Sequence, residues 1–337
     1  MSEVAIADGP SKDIAAEADA AVETLAKVRA EIGKVVFGQE RVVELTLAAI
    51  LAGGHALLIG APGLAKTKLV ETTARALGLD WGRVQFTPDL MPGDILGSEI
   101  LDESATGRSF RFVKGPIFTR LLMADEINRA SPRTQSALLQ AMQERQVTVA
   151  GASYDLPKPF HVLATQNPIE QEGTYPLPEA QLDRFLLKID VDYPDVETER
   201  RILIETTGLQ DVVVRPQLDA ERLIGLQNLV RRMPISDKVV EAILKLIRSA
   251  RPEQSEHAQV KKRVEWGPSP RAGQALMLAA RSRALLRGRF APSIDDIEAL
   301  AEPALGHRMA LAYDPTGNAG SLSSLIAELA SKSSKAG

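Results

Sequence analysis

The chain contains no cysteine, which excludes disulfides and every thiolate metal site. Histidine is scarce: only His55, His161, His257 and His307 occur. They are scattered without metal-ligand spacing, so each is expected to be structural or at the surface. Aromatic residues make up 4%, which leaves little for stacking on single-stranded nucleic acid. An excess of positive charge is also missing. The formal net charge is −4 and the pI about 5.8, so no overall basic field draws nucleic acid or an anionic membrane. No apolar run approaches the roughly 18–20 residues of a membrane span, and the N-terminal stretch has no signal-peptide apolar core. A cytoplasmic protein is the expectation. What remains is ordinary for a soluble globular protein: 45% hydrophobic and 25% charged residues over 337 positions, enough for about two domains.

The most informative stretch is Gly60-Ala61-Pro62-Gly63-Leu64-Ala65-Lys66-Thr67. It follows the short apolar run Ala56–Ile59, which reads as a buried strand, and precedes a helical stretch from Lys68 to Leu77 closed by Gly78. Strand, glycine-rich turn, Lys-Thr and helix form the context in which backbone N–H groups wrap phosphates, helped by the helix N-terminus. Lys66 is then expected against the β- and γ-phosphates of a nucleotide, with the Thr67 hydroxyl on Mg²⁺. One position departs from the usual pattern, Ala65 standing where glycine is common. Alanine fits if it has helical dihedrals, since a positive φ is what favours glycine.

Asp125-Glu126 close the apolar run from Arg120. A nucleotide site needs one carboxylate for Mg²⁺ and another to polarise the attacking water. Adjacent acids at a strand end point differently, so Asp125 is assigned to the metal and Glu126 to the water. Asn167 ends the strand Phe160–Thr165. If that strand lies between the phosphate-loop strand and the Asp125 strand, its amide meets the γ-phosphate and the lytic water. Taken alone, Asn-Pro is equally a turn signal. Arg184 sits at a helix end before a further strand, and Arg271 in the first turn of a helix that Ser269-Pro270 start. A guanidinium suits developing phosphoryl charge. At a helix N-terminus a cation is unfavourable for the helix dipole, a hint that Arg271 has another task. Both also read as ordinary solvated arginines.

In chain order, five short buried strands are expected at Ala56–Ile59, Arg83–Phe86, Arg120–Glu126, Phe160–Thr165 and Phe185–Val191. Ser98–Lys114 reads as a hairpin around Thr106-Gly107 or a short helical insertion, and Val147–Leu156 as a second hairpin. Beyond Asp195 only helices of comparable strength are expected. The expected division is a disordered then helical segment 1–34, an α/β domain 35–192, a linker 193–215, a helical domain 216–312 and a flexible tail 313–337 with one weak helix at Leu322–Leu329.

GAPGLAKT, LLMADEINRASPRTQSALLQAMQE, ATQNP, LPEAQLDRF and GPSPRA, in this order and spacing, resemble the AAA+ ATPases of the MoxR type. The resemblance runs from about Val36 to Met309. It implies an α/β domain with a five-stranded parallel sheet followed by an all-α lid. It makes Gly60 to Thr67 the Walker A loop, Asp125 and Glu126 Walker B, Asn167 sensor 1, Arg184 the arginine finger entering a neighbour's site, and Arg271 sensor 2. Val36 to Gln39 match the segment that packs on adenine. The two insertions match those facing a ring pore and its substrate. A hexameric ring remodelling protein clients is implied, often with a von Willebrand factor A-domain partner. The main alternative is a nucleic-acid motor, since Arg108, Arg111 and Lys114 could make a local basic loop. A GTP switch lacks an Asn-Lys-x-Asp guanine reader, and a non-hydrolysing binding module leaves the catalytic set without purpose.

Overall fold

A computed structural model describes residues 12–104, 107–169, 172–207, 212–313 and 321–334. The expected disorder of residues 1–12 lies outside these except at Lys12, where α1 begins, and the turn residue Thr106 lies outside them too.

α1 (Lys12–Gly33) buries Ala18, Ala21, Leu25, Val28 and Ile32, a stripe at three- and four-residue spacing. α2 (Glu40–Leu51) is apolar nearly all round and is buried from Val42 onward. β1 (Ala56–Ile59), α3 (Lys66–Ala76), β2 (Trp81–Gln85), α4 (Pro92–Leu96), β3 (Gly97–Ser104) and β4 (Gly107–Lys114) follow. The first insertion is thus an antiparallel hairpin, and the short helix α4 precedes it rather than forming part of it. β5 (Leu121–Asp125) leads through a single turn of 3₁₀ helix into α5 (Pro132–Glu144), which Ser131 caps by accepting from the Thr134 N–H. β6 (Gln146–Val149) and β7 (Ala152–Asp155) pair around Ala150 and Gly151, both at positive φ. β8 (His161–Gln166), α6 (Glu179–Leu182) and β9 (Leu187–Asp190) complete the α/β part.

β1, β2, β5, β8 and β9 form one parallel sheet in the order β2-β5-β8-β1-β9. Its three central strands, β5, β8 and β1, are buried on both faces, which is why they read as near-continuous apolar runs, while the edge strands β2 and β9 keep polar and partly exposed positions. Alternation still sorts them. Leu121, Met123 and Leu163 join the apolar cluster containing α1, α2 and α3, whereas Leu122, Ala124, Val162 and Ala164 pack with α5 on the other face. Since all strands run the same way, the C-terminal ends of β1, β5 and β8 open on one edge.

α7 (Val196–Thr206), α8 (Ala220–Arg232), α9 (Asp237–Ser249), α10 (Ala258–Arg263), β10 (Val264–Trp266), α11 (Pro270–Leu286), α12 (Ile294–Leu305), β11 (Ala310–Leu311) and α13 (Leu322–Ser334) make the rest. Two features depart from expectation. β10 and β11 pair as a small antiparallel ribbon, too short to register as strands in a single sequence. The C-terminal stretch is not wholly a flexible tail: α13 buries Leu325, Ile326, Leu329 and Ala330 against α9 and α12. Their spacing gives one apolar face, and that face finds a partner only in three dimensions. The helical part joins the sheet through α11 on α2 and α12 on β9. At that joint the fully buried Asp296 accepts from Arg283 at 2.5 Å and from Arg289 at 2.6 and 2.7 Å, while Glu44 of α2 accepts from Arg287 at 2.6 Å.

Candidate active site

A cleft of about 440 Å³ lies at the open edge of the sheet, lined by Pro62 to Lys68, Glu71, Asp125, Glu126, Thr165 and Asn167. β1 delivers the loop of residues 60–67 and α3 begins within it. Gly60 is required by close approach, for a Cβ there would lie 2.5 Å from the Val191 carbonyl oxygen. The expectation for Ala65 is corrected: it has φ 55° and ψ 22°, left-handed rather than helical. A methyl side chain tolerates this region at a cost of roughly 1–2 kcal/mol; the loop imposes the conformation to start α3.

Lys66 Nζ turns back onto its own loop, donating to the carbonyl oxygens of Gly60 at 2.5 Å and Ala61 at 2.8 Å. Burial pulls its ammonium below the usual lysine range, against the opposing pull of Asp125 and Glu126. Thr67 follows in the first turn of α3 and lines the cleft. β5 ends in Asp125, whose Oδ1 accepts from Thr165 Oγ1 at 2.6 Å. Its Oδ2 accepts from Arg83 Nε at 3.0 Å and Nη2 at 2.6 Å. Glu126 stands at φ 55°, so the chain turns sharply after Asp125, and the two carboxylates take different partners. Glu126 Oε2 accepts from Gln85 at 2.9 Å and Arg129 at 2.9 Å, and its N–H donates to Thr165 Oγ1 at 2.9 Å. β8 does lie between β5 and β1, so Asn167 reaches the same cleft. It is buried, and its Oδ1 accepts from the Ile169 N–H at 3.1 Å.

Val36 is buried in the loop between α1 and α2 and is not part of the cleft wall. The loop is clamped on both sides. The Arg201 guanidinium of α7 lies 4.4 Å from the centre of the Phe37 ring, and Gln39 Nε2 donates to the Leu64 carbonyl oxygen at 3.1 Å. Gly38, at φ 66°, touches Thr198 so closely that no side chain fits.

Arg184 and Arg271 do not line this cleft. They come together at a second pocket of about 250 Å³, with Gly54, His55, Met142, Asp183, Gln274 and Arg308 among its walls. Arg184 Nη1 donates to the Leu139 carbonyl oxygen at 2.5 Å. His55, His161 and His307 are buried and His257 is partly exposed; no group of histidine or acidic residues able to hold a metal occurs among the described residues.

Arg83, Gln85 and Thr165 were not singled out from the sequence. Thr165 carried a usable signal, two positions before Asn167 on the same strand. Arg83 and Gln85 carried none, because their role depends on β2 lying beside β5 in the register Gln85 to Asp125.

The ATPase family associated with various cellular activities (AAA) matches residues 55–187, and the AAA lid domain matches residues 256–329. Chaperone MoxR1 of Mycobacterium tuberculosis is 43% identical over 307 residues, covering 91% of this chain and 80% of that one. Protein MoxR of Paracoccus denitrificans is 35% identical, covering 85% of this chain and 89% of that one. A solved structure from Cytophaga hutchinsonii, of a provisionally assigned ATPase, superposes with a TM-score of 0.88 at 37% identity, covering 95% of this chain and 97% of that one. With a five-stranded parallel sheet, a glycine-rich loop at its edge and a helical lid, the chain belongs to the MoxR-type AAA+ ATPases.

Proposed function

We propose that the protein hydrolyses ATP with Mg²⁺ in a ring, and uses the energy to remodel or assemble protein clients. Support comes above all from one observation: the phosphate loop, both acids and Asn167 share one cleft, while Arg184 and Arg271 share another on the same chain. In this reading Lys66 and the loop N–H groups bind the phosphates, Glu126 polarises the attacking water and Asn167 orients it. The loop that carries Val36, tied to the cleft through Gln39 on Leu64, lies beside the adenine. Arg184 and Arg271 reach the γ-phosphate of the adjacent subunit, where a finger raises the rate by ~10³–10⁵. Thr67 and Asp125 offer the hard oxygen ligands that Mg²⁺ takes alongside water, and the ion would offset charge on the β- and γ-phosphates. Arg83 competes for Asp125 and must share it or swing aside.

The hexameric count, the cytoplasmic setting and a von Willebrand factor A-domain partner belong to the same proposal. The nucleic-acid reading is weakened at its own residues, because Arg111 pairs with Asp102 at 3.2 Å and Lys114 lies 5.1 Å over Phe118. The deciding experiment is ATPase rate per subunit against protein concentration, with oligomeric state followed by light scattering. Turnover rising steeply with assembly supports the shared centre. A strictly monomeric preparation hydrolysing ATP as fast as the assembled form overturns it.

A further inference from the structure

The residue before the candidate finger, Asp183, is held from the lid in two ways. Arg308 is 3% exposed at its side chain, and its Nε donates to Asp183 Oδ1 at 2.6 Å. The same guanidinium donates to the Phe185 carbonyl oxygen at 2.6 Å, the Asp183 carbonyl oxygen at 3.2 Å and the Leu186 carbonyl oxygen at 3.1 Å. It is anchored in turn on the Ala304 carbonyl oxygen of α12 at 2.6 Å. The other Asp183 oxygen, Oδ2, accepts from Ser269 Oγ at 3.3 Å, and that oxygen also caps α11 by accepting the Arg271 N–H at 3.2 Å. One carboxylate thus fixes both the segment that carries Arg184 and the helix start that carries Arg271.

Burying a guanidinium this completely is costly unless its donors are satisfied. Here they go to an acid and to four backbone carbonyls, three of them on residues 183–186. That is far more than is needed to dock a lid on a sheet edge. The planar fork suits several acceptors in fixed directions, which lysine cannot match.

We propose that Arg308, acting through Asp183, is a positioning residue that sets Arg184 and Arg271 as one rigid pair for presentation to the neighbouring subunit. This rests on the reading that the pair serves a neighbour's site. Loss of Arg308 then harms a subunit as a donor of arginines and leaves it competent as an acceptor, because its own cleft lies elsewhere. A displacement near 1 Å at such a group costs about 10²-fold in rate.

The test uses the full chain and mixed assemblies. Arg308→Met alone is expected to bind ATP as the parent does and to hydrolyse it about 10²-fold more slowly. Mixed with Glu126→Gln subunits, it should regain activity, since the second type lends sound arginines to its intact cleft. Mixed with Arg184→Ala subunits, it should stay silent, since neither type is a sound donor. Activity in that second mixture, or none in the first while Arg184→Ala with Glu126→Gln recovers, overturns the inference alone. If Arg184→Ala with Glu126→Gln also fails to recover, the shared centre falls and this inference with it. Should Arg308→Met not fold, Asp183→Asn keeps the shape, removes the charge and is expected to give the same pattern of mixtures; the opposite pattern counts equally against the proposal.

Discussion

At the scale of single residues the site is a set of strained or crowded positions held by their neighbours. Ala65 and Glu126 both stand at φ 55°, where a β-carbon is disfavoured and glycine is not. For Ala65→Gly the expected outcome is retained ATP binding and a fold no less stable, measured by nucleotide titration and thermal unfolding. A clear loss of stability would mean that the alanine methyl matters more than the strain. Lys66→Ala removes the one ammonium in the loop and should abolish ATP binding in the same titration; near-parent affinity would sink its assignment to the phosphates. Lys66, Thr67, Asp125 and Glu126 were legible because their chemistry is local: a loop of fixed spacing, and two acids ending an apolar run. Arg83 was not, since its pairing with Asp125 depends on two strands brought side by side. The conformation of Ala65 was misread for a related reason. The dihedral belongs to the N-cap position at which the loop turns into α3 and not to the residue's own preference.

At the scale of elements, the pattern of apolar residues located all five strands of the sheet and every long helix, though it ended α12 and α13 several residues early. What it missed were elements whose partners are distant. β10 and β11 are three and two residues long, and each is a strand only because the other exists. The two inserted hairpins are another such case. Phe112 of β4 stacks on Tyr154 of β7 with ring centres 4.1 Å apart, a contact between insertions that the sequence lists separately. The joint of α2, α11 and α12 is held by ions rather than by apolar contact alone. Burial opposes charge on Asp296, yet Arg289, Ser293 and Arg283 outweigh it and hold the carboxyl below the usual aspartate range. Its stabilising effect is present above the unfolded value near 3.9 and is lost as pH falls through the lower folded value. Removing one partner of a buried set leaves the others uncompensated, so Asp296→Ala should destabilise by about 3 kcal/mol. Chemical denaturation reads this directly, and a change under 1 kcal/mol would mean that Glu44 and water suffice for Arg283 and Arg289.

At the scale of the whole molecule, three buried histidines sit where its parts meet, and together they make the assembled fold sensitive to mild acid. His55 follows Gly54 at the start of β1. Its Nδ1 accepts from the Val162 N–H at 2.9 Å while Nε2 faces the Met142 carbonyl oxygen of α5 at 3.3 Å. His161 donates from Nδ1 to the Gly54 carbonyl oxygen at 2.8 Å, leaving Nε2 to accept from Gln227 of α8 at 3.0 Å. His307, beside Arg308, donates from Nε2 to the Phe185 carbonyl oxygen at 3.0 Å. Each ring is neutral, with one nitrogen accepting or unpartnered. Burial drives His55 down to about 3, His161 to about 4 and His307 to about 3, with nearby cations adding to the effect. In the unfolded chain the same rings titrate near 6.5. Below that pH the unfolded state takes up protons that the folded state refuses. Stability then falls by about 1.4 kcal/mol per pH unit for each ring, until pH reaches the folded values. Three rings acting together give a slope of about 4 kcal/mol per unit, against a typical total of about 5–15 kcal/mol. The unfolding midpoint should therefore be flat above pH 7 and drop steeply below pH 6, well before the Asp296 set begins to protonate. His307→Gln keeps a donor for the Phe185 carbonyl oxygen and removes one titrating ring, so it should reduce the slope by about a third. A midpoint that stays level down to pH 5 would mean that these rings already carry their protons in the native protein, and that the joints between sheet and lid are wetter than their burial implies.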